Sequence, residues 1–379
     1  MKDHSLEVHG CHTYDATGAI SPSICLSATF RHPRFGESTG YDYGRVANPT
    51  RESLEKTVAL LERGGRSWAL SSGMAAVQLV FSLLSAGDHV LMSEDLYGGT
   101  VRLAEEVFAG YGVTFEYIDV RDLALVGKRM RSETKLVFIE TPSNPMMQIA
   151  DIAALSALAH ENGALLAVDN TFLSPHFQKP LTLGADIVLH SGTKYLCGHN
   201  DVIAGFLVLK DAASAEAKRI ELLAKSAGPN LSALDSWLML RSIKTLGVRV
   251  ERQAENAFAI ARWLGTLPEV TEVLYPGLAD HPGYALQQKQ ASGAGGMISF
   301  KVRSAEIAKV ALGRLHLIAF AESLGGVETL LTYPIAQTHA EMPAALLKRT
   351  GLDDKLLRLS VGIEDVEDLK ADLQQALQG

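Results

Sequence analysis

Cysteine is scarce in this chain of 379 residues. Its three, Cys11, Cys25 and Cys197, are too few and too scattered for a disulfide framework or a cysteine-rich zinc site. No apolar run reaches the roughly 18–20 residues that cross a bilayer. The opening Met1-Lys2-Asp3-His4-Ser5-Leu6-Glu7 has no apolar signal core, so no membrane partner and a cytoplasmic location are expected. A basic block is missing too: 35 Lys and Arg stand against 43 Asp and Glu, a formal charge of −8, which disfavours nucleic-acid binding. With 47% hydrophobic and 21% charged residues the chain is not disordered. What remains is a mildly acidic globular protein that handles a small molecule.

What is present is a regular alternation of strands and helices. Apolar runs at 67–70, 89–92, 114–118, 136–139, 165–168, 187–189 and 203–209 read as strands. Helical patterns at 74–84, 99–108 and 152–161 lie among them. Near-continuous apolar strands alternating with helices imply an α/β domain whose largely parallel sheet is covered on both faces. This domain is assigned to residues 49–244. Residues 1–48 hold turn residues and few periodic runs, and read as an extended arm reaching a neighbouring subunit. A continuous helical pattern over 231–264, with Trp237, Leu240, Ile243 and Leu246 on one face, leads into a smaller α+β domain, residues 245–379. Strands are expected there at 270–274, 297–302, 330–333 and 356–360, and a helix at 365–377.

Four segments carry chemistry, each at the carboxyl end of an expected strand. In Ser191-Gly192-Thr193-Lys194, an amine able to form a Schiff base stands beside two hydroxyls able to bind a phosphate. Asp169 ends its strand where open α/β sheets bind ligands. Ser72 and Gly73 open a helix whose first N–H groups attract an anion. Tyr97, in Asp95-Leu96-Tyr97-Gly98-Gly99, brings an aromatic ring to the same edge. Singly, each has a plainer explanation: a solvated lysine, a capping Asp, an N-cap, a packing ring. Together they supply an amine, a pyridine-nitrogen partner, a phosphate cradle and a stacking ring, the set that holds pyridoxal 5′-phosphate.

Over nearly its whole length the chain resembles the pyridoxal-phosphate enzymes of cysteine and methionine metabolism, the trans-sulfuration enzymes. The resemblance runs through Tyr41-Asp42-Tyr43-Gly44-Arg45, Ser71-Ser72-Gly73-Met74, Asp95-Leu96-Tyr97-Gly98-Gly99 and Glu140-Thr141-Pro142-Ser143-Asn144-Pro145. It continues through Val168-Asp169-Asn170-Thr171, Ser191-Gly192-Thr193-Lys194-Tyr195, Glu322-Ser323-Leu324-Gly325-Gly326 and Leu357-Arg358-Leu359-Ser360. It implies the fold-type I transferase architecture, a large domain with a mostly parallel seven-stranded sheet plus a smaller C-terminal α+β domain. It also implies that Lys194 carries the cofactor and shuttles protons, Asp169 pairs with the pyridinium, and Tyr97 stacks on the ring and acts as an acid/base. Gly73, Met74, Ser191 and Thr193 would hold the phosphate, with Tyr43 and Arg45 of a neighbouring subunit. Asn144 would lie near the phenolic oxygen, and Arg358, Ser323, Glu322 and Asn144 would serve the amino-acid substrate. The planar fork of Arg358 suits a carboxylate. The charge state of Lys194 is open, since a nearby phosphate raises its pKa while desolvation and a protonated ring lower it.

Within that resemblance, Gly99 stands where methionine γ-lyases carry a cysteine, and Glu322 matches the γ-synthases and γ-lyases. Residues 35–41 and 332–334 are most similar to bacterial cystathionine γ-synthase-like members that also accept sulfide. The expected reaction is γ-replacement on an O-acylhomoserine by cysteine to give cystathionine, with cleavage of cystathionine by a γ- or β-lyase as the alternative. A homo-oligomer is implied, a dimer of dimers with active sites shared across each dimer. Rival classes are weaker. The chain lacks the Gly-x-Gly-x-x-Gly of a dehydrogenase, and a cofactor-binding regulator would not need Arg358, Ser323 and Tyr97 together. No metal is expected, although His4, His9, Cys11 and His12 cluster near the N-terminus.

Overall fold

The computed structural model describes residues 1–11 and 17–378, so His12 lies outside the described residues. Seven strands form the larger sheet: β1 (Arg66–Leu70), β2 (His89–Ser93), β3 (Thr114–Ile118), β4 (Thr134–Glu140), β5 (Leu165–Asp169), β6 (Ile187–Ser191) and β7 (Gly205–Leu209). Their order is β1-β7-β6-β5-β4-β2-β3. Only β7 runs against its neighbours; every other pairing is parallel. Strands β2 and β7 are buried along their whole length, as a sheet covered on both faces requires.

Because β7 is antiparallel to both β1 and β6, β1 points the same way as the parallel set. Hence the carboxyl ends of β1, β2, β4, β5 and β6 share one edge, and the segments after them, 71–74, 94–99, 140–145, 169–171 and 191–195, converge there. This is the crevice where open sheets place their ligands.

A second sheet, β8 (Val270–Leu274), β9 (Met297–Val302), β10 (Ala319–Phe320), β11 (Leu330–Thr332) and β12 (Leu356–Ser360), has the order β10-β11-β12-β9-β8. It is antiparallel apart from the β10–β11 pair. Arg358 sits mid-strand in β12 between Thr332 and Ser299, and the Ser299 hydroxyl donates to the Pro145 carbonyl at 2.6 Å. That contact ties this sheet to the β4 end of the larger one.

Two local readings change. The segment Asp3–His9 (α1), assigned to an extended arm, is a helix docked on its own chain through the buried Leu6 and Glu7. Seven residues are too short to show a period, so only tertiary contact reveals it. The helical run over 231–264 is two helices, Ala233–Ile243 and Leu246–Leu264, broken at Lys244 and Thr245. The apolar face of Leu240, Ile243 and Leu246 stays buried across the break, so periodicity alone cannot register it. Helix α2 (Pro49–Leu61) starts where the Asn48 side chain accepts from the N–H groups of Thr50 and Arg51, with Pro49 in the first turn. No helix among the described residues is long and apolar enough to cross a membrane.

Candidate active site

A cavity of about 260 Å³ opens at the shared strand edge, lined among others by Gly73, Tyr97, Asp169, Lys194, Ser323 and Arg358. Met74, Ser191, Thr193, Asn144 and Glu322 also line it. Eleven of the thirteen residues picked out from the sequence therefore meet in one hollow.

Helix α3 (Gly73–Phe81) supplies its anion-facing end. The Ser72 hydroxyl caps Ala75 N–H at 3.1 Å, whereas the N–H groups of Gly73 and Met74 find no acceptor among the described residues. A Cβ at position 73 would lie 2.8 Å from Ser191 Cβ, so glycine alone lets the helix start approach β6. Two free N–H groups at a helix start, beside the Ser191 hydroxyl, form a site for a phosphate dianion. Gly73→Ala is expected to weaken cofactor retention by roughly one to two orders of magnitude, read as a dissociation constant by fluorescence titration. The Thr193 hydroxyl is tied to the backbone just before β7, accepting from Ala204 N–H at 3.0 Å and donating to Ala204 O at 3.2 Å, so it would turn from that carbonyl to donate to a phosphate.

Asp169 and Glu140 end adjacent strands in direct register and both face the cavity. Asp169 Oδ1 accepts from Thr171 N–H at 3.0 Å and from the Thr171 hydroxyl at 2.5 Å. Glu140 Oε2 accepts from Tyr97 N–H at 3.0 Å. Burial pushes both carboxyls above their ordinary range, and Glu140 is pushed well above it by burial and by the charge of Asp169. Each carboxylate raises the other's pKa, so the pair resists carrying two charges. The two hydrogen bonds from Thr171 favour the ionised form of Asp169, whereas Glu140 is the more strongly raised of the two. Glu140 has no role assigned from sequence; its place at the end of an apolar strand, as with Asp169, is the signal that could have found it.

Behind Asp169 lies a buried polar network. Glu62 Oε1 accepts from His190 Nε2 at 2.6 Å and from Asn170 Nδ2 at 2.9 Å, so one carboxylate grips the ends of β5 and β6 together.

Lys194 Nζ donates to the Ser323 hydroxyl at 2.8 Å. Burial, joined by the nearby Arg358 cation, pushes the amine down to about 8. Among the protein's own groups, then, desolvation prevails in setting the charge of this lysine. Ser323 itself has a φ of +93°, an uncommon conformation for a residue with a side chain, which aims its hydroxyl at the amine.

Arg358 is buried with 2% exposure, and no carboxylate among the described residues lies within 4.0 Å of its guanidinium. Nη1 donates to Asn144 Oδ1 at 2.7 Å, and Nη2 to Ser323 O at 3.3 Å and Thr332 Oγ1 at 3.4 Å. Nε is buried without a partner among the described residues. Burial pulls the group down to about 10. A buried cation with no carboxylate in contact, and with Glu140 and Glu322 acting on it only at longer range, is matched to an incoming carboxylate. Glu322 lines the same cavity from an exposed position, so its carboxylate stands on the open side. Tyr97 precedes helix α4 (Gly98–Leu103) and its ring is 39% exposed. A Cβ at position 99 would come within 2.5 Å of that ring, so the glycine there lets Tyr97 lie where it does.

Tyr43 and Arg45 are the two residues that do not join the cavity. The Arg45 guanidinium lies 5.5 Å from the Tyr43 ring and donates to the Lys225 carbonyl, in a separate surface hollow shared with Arg51 and Asn230.

The chain matches the family model described as Cys/Met metabolism PLP-dependent enzyme over residues 4–378. It is 46% identical to the cystathionine γ-lyase of Bacillus subtilis over 379 residues, the full length of both chains. It is 46% identical to the cystathionine β-lyase of the same organism over 365 residues, 96% of this chain and 93% of that one. Among solved structures, the cystathionine γ-synthase of Xanthomonas oryzae in complex with aminoacrylate and cysteine superposes with a TM-score of 0.95 at 41% identity, covering 100% of this chain and 98% of that one. The chain belongs to the pyridoxal-phosphate-dependent enzymes of cysteine and methionine metabolism, with the fold-type I architecture and pyridoxal 5′-phosphate as cofactor.

Proposed function

We propose that the chain catalyses γ-replacement on an O-acylhomoserine, with cysteine as the thiol donor and cystathionine as product. The γ-carbon–oxygen bond breaks, the carboxylic acid leaves, and a γ-carbon–sulfur bond forms. The observation that carries this reading is the charge pattern of the cavity. Arg358, deep inside, meets one amino-acid carboxylate, while Glu322 on the open side suits the ammonium group of a second amino acid.

Bound pyridoxal phosphate supplies an aldehyde that amines attack and a protonated ring that draws electrons from the substrate α-carbon. Gly73, Met74, Ser191 and Thr193 would hold its phosphate, Asp169 would face its ring nitrogen, and Asn144 would offer its amide N–H to the phenolic oxygen. Tyr97 would cover one face of the ring. In the reaction, Arg358 fixes the substrate carboxylate and so orients the α-hydrogen. Lys194 Nζ removes that proton, with the Ser323 hydroxyl keeping the amine in place. The Tyr97 hydroxyl takes part in proton transfer at the β-carbon and leaving group. Tyr43 and Arg45, outside their own cavity, would complete the phosphate site of a second copy, making a dimer the smallest active unit.

A second reading is cleavage of cystathionine, which carries the same distal ammonium group; it is favoured by the 46% identity to a γ-lyase along both full chains. A product assay separates the two. O-acetyl- or O-succinylhomoserine with cysteine is expected to give cystathionine. Release of 2-oxobutyrate or pyruvate from cystathionine, with no synthesis from either ester, would overturn the proposal.

The lowered pKa of Lys194 has a kinetic consequence. At pH 8 about half the amine is neutral, against about one in three hundred for an unshifted lysine. Covalent uptake of pyridoxal phosphate by the apoenzyme should therefore quicken about tenfold per pH unit below 8 and level off above it. Stopped-flow absorbance across pH 6–10 measures this; a rate still climbing at pH 10 contradicts the assignment.

A further inference from the structure

Of the N-terminal histidines, His4 finds partners the sequence does not indicate. Helix α1 lies against the helices Ser174–Phe177 and Leu246–Leu264, and His4, Glu7 and His176 meet at that junction. One nitrogen from each ring and a Glu7 oxygen all lie within 4.8 Å of one another. Glu7 is buried, with 4% exposure, and its carboxylate sits between the two rings. Oε1 is 2.7 Å from His176 Nδ1, and Oε2 is 3.7 Å from His4 Nδ1. Oε2 also accepts from Gly247 N–H at 3.1 Å, which fixes the carboxylate plane.

The opposite sides of the rings are arranged as well. His4 Nε2 and His176 Nε2 face the same oxygen, Glu251 Oε1, at 3.3 and 3.4 Å. Histidines that bind a metal through one nitrogen place the other N–H on a carboxylate, which fixes tautomer and ring orientation, and Glu251 stands at ion-pair distance from both rings, where it could take that role. Bonds of about 2.0–2.1 Å to a tetrahedral Zn²⁺ put neighbouring ligand atoms about 3.4 Å apart. The His4–Glu7 separation is close to that and the exposed His4 side chain is free to adjust, whereas His176 Nδ1 and Glu7 Oε1, hydrogen-bonded at 2.7 Å, would give up the shared proton and part by about 0.7 Å to admit the ion.

We propose that His4 Nδ1, His176 Nδ1 and the Glu7 carboxylate bind one Zn²⁺ ion, with Glu251 orienting both imidazoles and water completing the coordination on the open side of His4. The ion would staple α1 to the body of the chain. None of the four residues lines the cavity of Lys194, so the inference is independent of the proposed reaction.

The test uses holoenzyme dialysed against a chelator in phosphate-free buffer. Zn²⁺ is titrated by calorimetry, and Co²⁺ by its visible ligand-field absorption. One ion per chain is expected, with His4→Ala and His176→Ala each weakening binding at least about tenfold, and Glu251→Gln by about tenfold. The cofactor absorbance and specific activity of His4→Ala should match the parent enzyme, showing that the variant is folded. Absence of saturable binding, or binding that survives both histidine substitutions unchanged, would overturn the proposal and leave a plain carboxylate–imidazole cluster.

Discussion

Lys194→Ala is expected to lose turnover by about four orders of magnitude or more, together with the visible absorbance of the covalently held cofactor. Both losses follow from the position of one amine. Its polar partner is the Ser323 hydroxyl, and burial with the Arg358 cation holds it near pH 8, so it can be a nucleophile toward an aldehyde and then a base toward an α-hydrogen. Among the described residues, no other lysine lines the cavity to take its place. The phosphate cradle at α3 and the Asp169 carboxylate are untouched by the substitution, so the variant should still bind pyridoxal phosphate non-covalently. Retention of the band in Lys194→Ala would end the assignment.

Arg358→Leu is expected to cut kcat/KM by about 30- to 4,000-fold, the range for removing one partner of a buried, hydrogen-bonded charge pair. The change should fall mainly on KM, because the substrate carboxylate is held alike before and during the reaction. Steady-state kinetics on the O-acylhomoserine measure it, and an unchanged cofactor absorbance shows that the pocket is intact. Arg358→Lys should recover only part of the loss: an ammonium cannot reproduce the planar fork that spans Asn144 and Ser323 and would meet the substrate carboxylate. A variant with unaltered KM would place the carboxylate elsewhere.

Much of this site is legible in the amino-acid sequence because its pieces are local. Ser191 to Lys194, Asp169 and Gly73 each follow a short apolar run, and parallel strands bring their carboxyl ends to one edge whatever their order. Strand order itself is a matter of crossover connections, which no local pattern encodes. Arg358 is different: it lies mid-strand among leucines, and only the family resemblance marks it. Glu140 shows the limit more sharply. Its chemistry comes from standing opposite Asp169 in a neighbouring strand, a relation between residues 29 positions apart that appears only when β4 and β5 pair. The same holds for Glu62 beneath the strand ends and for His176 beside α1. The state of Lys194 is undecidable from sequence for another reason, since opposing effects of similar size are ranked only by the depth of its burial.

The proposed reaction requires that the cofactor be carried by Lys194 Nζ. Borohydride reduction of the coloured enzyme, followed by proteolysis and mass mapping, tests it most directly. A single modified peptide bearing the pyridoxyl phosphate mass on Lys194 is expected; the label on a different lysine, or no label after complete decolourisation, would refute Lys194 as the carrier.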